Sequence, residues 1–248
     1  MNELNQLSLY NTIFEQIELP DNAMVVDLGC RDASFLLALN DTFANKIKSA
    51  IGVDITDKGF KNVEYGKPIK LRVMNCSKKL DFPDNTFDFV FTKDMFECVS
   101  DKSVLVKEIH RILKPNGVVI SVNCDWDSIT YNGKKKDLIS NIIHVYATTK
   151  QPWMDDIDSW IGRRMYGFFN NSQLFNSSIS VYNVVETEYI ENSYGYNLSL
   201  DMSWLYKEKT GTITEKEYNQ FIENLKIAES NGQYIFSKPY YIYKGVKL

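Results

Sequence analysis

The chain reads as an α/β fold: a doubly wound, mostly parallel, seven-stranded sheet with helices on both faces and an antiparallel C-terminal edge. Three observations predict it. Short apolar runs rich in β-branched residues alternate with helix-length segments as far as residue 125, the pattern of parallel strands joined by crossover helices. Two of these runs, Val25-Val26-Asp27 and Ile51-Gly52-Val53-Asp54, end in an acid. Past residue 125 the alternation stops, and two late strands are placed to add an antiparallel edge.

Leu4, Leu7, Leu9, Ile13, Phe14 and Ile17 recur at near-helical spacing, so residues 3–18 form an amphipathic helix. Pro20-Asp21-Asn22 breaks it before the first strand. That strand runs into Gly29, and Phe35-Leu36-Leu37-Ala38-Leu39 continues as a helix. Gly29 lets the backbone turn sharply and come close to a ligand, and the helix start offers free N–H groups. Ala50 to Asp54 is the second strand and Ile69 to Met74 the third. Pro83-Asp84-Asn85 is turn chemistry ahead of a fourth strand, Phe87 to Thr92. A helix from Ser103 to Leu113 is closed by Leu113-Lys114-Pro115-Asn116-Gly117, and Val118 to Val122 is the fifth strand.

Residues 137–150, 155–169 and Thr214 to Ser230 read as helices, the last begun by a capping box of Thr214 and Glu217. Val181 to Ile190 and Tyr234 to Lys244 read as strands. No linker divides the chain, so residues 1–248 are expected to be one domain. Within it, residues 1–19 are an N-terminal helix, 20–125 an alternating core, and 126–248 insertions with the last two strands.

Composition narrows the function. Hydrophobic content of 44% builds a full core, and 15 Tyr with 14 Phe suit a pocket with aromatic walls. A net charge of −4 argues against nucleic acid, whose phosphates demand a basic footprint. Cys30, Cys76, Cys98 and Cys124 show no CxxC pairing, and two histidines are too few for a His-rich metal site, so no metal is expected. The N-terminal segment is neither a signal peptide nor a membrane span. A cytoplasmic protein with no membrane partner, a monomer or homodimer, is the expectation.

Asp27-Leu28-Gly29, then Asp81-Phe82-Pro83-Asp84-Asn85-Thr86-Phe87-Asp88, then Phe96-Glu97-Cys98-Val99 and Leu113-Lys114-Pro115-Asn116-Gly117 resemble consecutive signatures of one family. It is the class I S-adenosylmethionine-dependent methyltransferases, in the small-molecule group named for ubiquinone and menaquinone biosynthesis. The resemblance covers residues 20–125. It implies a Rossmann-like fold, S-adenosyl-L-methionine as cofactor and a small-molecule methyl acceptor, with 1–19 as a lid helix, 20–125 as the cofactor-binding core and the acceptor-binding insertions in 126–248. It implies Asp27 and Gly29 at the methionine part of the cofactor, and Asp54 with the adjoining Ile55 at the ribose. It puts Cys76 and Ser77 at the adenine, and Thr92 and Lys93 near the methionine end. Arg31 and Ala33 stand where two glycines are usual, Cys76 where an Asp is, and Cys98 where a His is.

Methyl transfer from a sulfonium is an in-line displacement that needs position and dryness more than side-chain chemistry. Asp125-Trp126-Asp127 follows the fifth strand at its carboxyl end, where ligands bind. Two acids flanking a Trp can hold a cationic amine, which leans the reading toward N-methylation of an amine or amino-acid-like metabolite. Asp125, Asp127 and His144 are the catalytic candidates, His144 because an imidazole titrates near neutrality. Arg163 and Arg164, near Trp153, could grip a substrate carboxylate, and Tyr10 could close over the site. The alternatives are a solvated loop at 125–127 and surface salt bridges for the arginines. For the function they are O- or C-methylation of a small aromatic or quinone metabolite, or a catalytically silent cofactor-binding subunit.

Overall fold

Val25, Val26 and Leu28 have no exposed surface, so the strand that carries them lies at the centre of a sheet covered on both faces. A computed structural model describes residues 3–60, 68–208 and 211–248. In it β1 (Ala23–Leu28) pairs in parallel with β2 (Ile47–Asp54) on one side and β4 (Phe87–Lys93) on the other. β3 (Ile69–Val73) continues outward from β2, and β5 (Leu113–Cys124) from β4. β8 (Phe236–Lys247) runs antiparallel beside β5, and β7 (Phe175–Glu186) antiparallel beside β8. The two-residue β6 (Thr130–Tyr131) also pairs with β8 and makes the sheet eight-stranded. Because β2 and β4 flank β1, the chain order reverses there, and a crevice opens at the carboxyl ends of these strands.

Two apolar layers cover the sheet. On one face α1 (Glu3–Phe14) and α2 (Ser34–Phe43) pack through aromatic rings. Phe35 stacks on Phe91 with centroids 3.4 Å apart, and Tyr10 meets Phe35 edge-on at 5.2 Å. On the other, Leu105, Ile109 and Ile112 of α3 (Lys102–Ile112) share a buried cluster with Phe87 and Val90. Met165 and Phe169 of α5 (Ile161–Ser172) join that cluster. α4 (Lys136–Thr148) and α8 (Glu215–Ser230) complete the first layer, and the Thr214–Glu217 capping box is present. The side chains of Leu4 and Leu7 lie outside the described residues.

Several boundaries differ from expectation for visible reasons. α1 ends at Phe14 instead of residue 18. α5 begins at Ile161 instead of residue 155, because the N–H groups of Asp155 and Asp156 donate to the Cys98 carbonyl and that of Asp158 to Glu97. The segment therefore lies along the turn after β4. The late strands span 175–186 and 236–247, where cross-strand pairing sets their ends. α3 stops at Ile112 because Leu113 already pairs with Phe87, and Asn116 takes the left-handed turn with φ 62°. α6 (Tyr194–Asp201) and α7 (Trp204–Lys207) were not expected.

Candidate active site

The loop from β1 to α2 starts the site. Gly29 has φ 82°, and a Cβ there would come within 2.9 Å of Met95 Cγ. Arg31 and Ala33 also adopt left-handed φ, 49° and 60°, conformations that cost an L side chain about 1–2 kcal/mol. The loop thus keeps a glycine-like backbone at both positions where glycine is missing. It is tied to β2: the N–H groups of Gly29 and Cys30 donate to the Val53 carbonyl at 2.8 and 2.9 Å, and that of Arg31 to Asp54 Oδ2 at 2.9 Å.

Asp27 is 3% exposed, and its Oδ1 has no hydrogen-bond partner among the described residues. Burial, then the charge of Asp54, holds its carboxyl well above the usual pKa, against the opposing pull of Lys93. Cys76 is buried near the same two acids; burial first, then Asp54 and Asp27, push its thiol up to about 12. The Ser77 N–H donates to Asn75 Oδ1 at 2.8 Å, forming the turn after β3. Ile55 is exposed beside Asp54. Thr92 is buried with its hydroxyl 2.9 Å from that of Ser121, and Lys93 forms an ion pair with Asp94.

These residues fit the cofactor implied by the resemblance. A buried carboxyl oxygen without a donor, beside a backbone stripped of Cβ, suits the ammonium of a methionine moiety. Asp54 spends one oxygen on Arg31, and a carboxylate accepts at both. Residues 26–121 match the family model described as "Methyltransferase domain". Over that span the chain is similar to methyltransferase domains. The resemblance to class I S-adenosylmethionine-dependent methyltransferases of small molecules holds, and the cofactor of that family is S-adenosyl-L-methionine.

The chain is 29% identical over 133 residues to a sterol 4-C-methyltransferase, strm-1, of Caenorhabditis elegans, covering 52% of this chain and 38% of that protein. It is 31% identical over 117 residues to phosphoethanolamine N-methyltransferase 3 of Arabidopsis thaliana, covering 43% of this chain and 22% of that one. The chain thus spans well under half the length of these relatives. Among solved structures, a putative methyltransferase from Bacillus halodurans superposes with TM-score 0.61 over 97% of this chain and 99% of that one, at 14% identity. It shares the fold.

The acceptor candidates lie at and beyond the end of β5. Asp125 is fully buried and takes Arg163 Nε at 2.5 Å and Nη2 at 2.6 Å on its two oxygens. Gly162 makes this approach possible, since a Cβ there would lie 2.8 Å from the Asp125 nitrogen. Asp125 and Arg163 therefore dock α5 on the end of β5, with Asp125 buried in that pair and Arg163 partly exposed. Arg164 pairs with Asp158 at 2.8 Å, and its side chain is half exposed. Trp153 is 60% exposed.

Asp127 and His144 do come together, Oδ1 to Nδ1 at 2.9 Å, and Trp160 Nε1 donates to the other oxygen at 2.8 Å. Burial would raise the Asp127 pKa, but these two bonds and the charges of His144 and Arg163 hold it below the usual range. Tyr10 is buried with its hydroxyl 3.2 Å from Ser34 Oγ, at the start of α2.

Sequence reasoning missed two charged groups. Lys238 is completely buried on β8; its Nζ donates to the Tyr194 hydroxyl at 2.5 Å and lies 3.8 Å from the centre of the Trp126 ring. Glu97 is 2% exposed, accepts from Trp126 Nε1 at 3.3 Å through Oε1, and has no partner for Oε2 among the described residues. A signal existed for each. Phe236, Lys238, Tyr240 and Ile242 share strand parity, so an apolar face carries one lysine, and Glu97 lies inside a motif whose Cys98 drew the attention. Among the described residues no cluster of three His, Cys, Asp or Glu could hold a metal ion, and no helix is long and apolar enough to cross a membrane.

Proposed function

We propose that the protein transfers a methyl group from S-adenosyl-L-methionine to a small-molecule acceptor. The observation that carries this reading is the partnerless Oδ1 of buried Asp27, at the switch point of the sheet, beside a left-handed loop hydrogen-bonded to Asp54. Asp27 would hold the methionine ammonium, Asp54 the ribose hydroxyls, and the 76–77 turn the adenine. When bound, the cofactor supplies a methyl group on a sulfonium, open to in-line displacement. The residues of this chain contribute orientation and exclusion of water, which together account for much of such catalysis. The relatives' names divide between carbon and nitrogen acceptors. Support for a cationic amine is weak in this chain, because Asp125 is bound to Arg163 and Asp127 to His144 and Trp160.

The test is transfer of isotope-labelled methyl from the cofactor into pooled small metabolites. Label should appear in a small-molecule fraction with wild type and fall at least tenfold with Asp27→Asn. Cofactor binding without any labelled product would point to the catalytically silent subunit instead.

A further inference from the structure

Glu97 and Lys238 are ionisable side chains in the interior, outside the set assigned above to the cofactor. They lie at the same end of the sheet: Glu97 follows β4, and Lys238 precedes the pairing of Tyr240 with Cys124 at the end of β5. Trp126 joins them, donating Nε1 to Glu97 Oε1 and turning its ring face to the Lys238 ammonium. The Tyr194 and Tyr240 rings also flank that ammonium, each with its centre 4.9 Å away, and their hydroxyls meet at 2.9 Å. Three aromatic faces around one cation make the kind of cage that elsewhere holds an alkylammonium ligand. Here the chain's own ammonium fills it. Burial alone would push that ammonium toward the neutral amine; the charge of Asp94 and the hydrogen bond to Tyr194 oppose it and raise the pKa.

A fixed buried cation repels a cationic acceptor and stabilises an oxyanion. A buried carboxyl with one unsatisfied oxygen is costly to maintain and ready to accept a proton or hydrogen bond from a ligand. We infer that Glu97 and Lys238 form the acceptor-recognising pair and that the acceptor carries a weakly acidic hydroxyl, a phenol or an enol. This rests on the methyltransferase reading. Glu97 Oε2 takes the hydroxyl proton as the O–H bond breaks. The electron pair on that oxygen, or on the carbon conjugated with it, forms the bond to the methyl carbon. The carbon–sulfur bond breaks with its pair left on sulfur, and Glu97 then returns the proton to water. Lys238 stays protonated and balances the oxyanion.

The groups facing Glu97 suit it as such a base. Asp94 and Lys93 face it from the end of β4, Trp126 from the turn after β5, and Cys98 adjoins it; Asp158 donates its N–H to the Glu97 carbonyl. Burial, then Asp94, pushes the Glu97 carboxyl up to about 8, closer to a phenol than an ordinary carboxylate is.

The experiment titrates the full chain, saturated with S-adenosylhomocysteine, with 4-nitrophenol and with benzylamine, two probes of similar size and opposite charge. The phenol should bind at least about tenfold tighter, equivalent to about 1.4 kcal/mol, and Lys238→Met should remove the preference. The bound state shares one proton between probe and Glu97, so wild-type phenol affinity should fall on both sides of a pH optimum. Glu97→Gln, which keeps size and the Trp126 contact, should lose the fall at high pH; it also serves if Lys238→Met does not fold. Equal or tighter benzylamine binding, no binding of either probe, or an unchanged alkaline limb in Glu97→Gln would overturn the inference. Failure to bind S-adenosylhomocysteine overturns the methyltransferase reading as well; intact cofactor binding without phenol preference overturns this inference alone.

Discussion

Ala33 holds a left-handed backbone, φ 60° and ψ 14°, directly before Ser34 opens α2. The same loop is pinned at Arg31, whose N–H donates to Asp54 at the end of β2. The strand-end acids and the turn between them are therefore one hydrogen-bonded unit, and its conformation survives without two of its usual glycines.

Ala33→Gly should consequently stabilise the protein. Relief of a left-handed L residue is worth about 1–2 kcal/mol, offset by about 0.4–1 kcal/mol of added freedom in the unfolded chain. Urea denaturation should show a net gain of up to about 1.6 kcal/mol on these scales. A loss larger than that would mean the Ala33 methyl, buried in the core, matters more than its backbone.

Arg163→Met should destabilise strongly, because it strands a fully buried Asp125 carboxylate. Removing one partner of a buried pair costs about 3–5 kcal/mol, and the partly exposed guanidinium places the loss near the lower figure. A second substitution, Asp125→Asn, should recover part of it in a denaturation experiment. Near-additive losses would show that the two residues do not act as a pair.

Glu97 gives the stability an unusual pH slope. An unfolded Glu loses its proton near pH 4.3, whereas the folded carboxyl keeps it to about 8. Between those values the folded state binds more protons, so stability falls as pH rises through the window. Below it the stabilising difference is fully present. Glu97→Gln should flatten this slope in denaturation midpoints measured from pH 5 to 8. An unchanged slope would place the titration on another group.

The first half of the fold was legible because its determinants are local. Val25 to Asp27, Ala50 to Asp54 and Phe87 to Thr92 are buried runs whose acids and turns sit next to them in the chain, and so Asp27, Asp54 and Thr92 lie at or next to the strand ends the pattern predicts. The second half depends on distant pairings. Asp125 looked like an acceptor ligand because its partner, Arg163, lies 38 residues away and meets it only once α5 docks at Gly162. The burial of Lys238 follows from β8 inserting between β5 and β7, a placement no local pattern announces. Helix start at residue 155 failed for a similar reason, as backbone bonds to Glu97 and Cys98 hold that stretch out of a helix.

Calorimetric titration with S-adenosyl-L-methionine, comparing wild type with Asp54→Ala, tests the central claim most directly. The account predicts one site per chain and a weakening by about 1.5–3 kcal/mol in the variant, the scale of hydrogen bonds to a charged group. No binding by the wild type, or equal binding by both proteins, would contradict it.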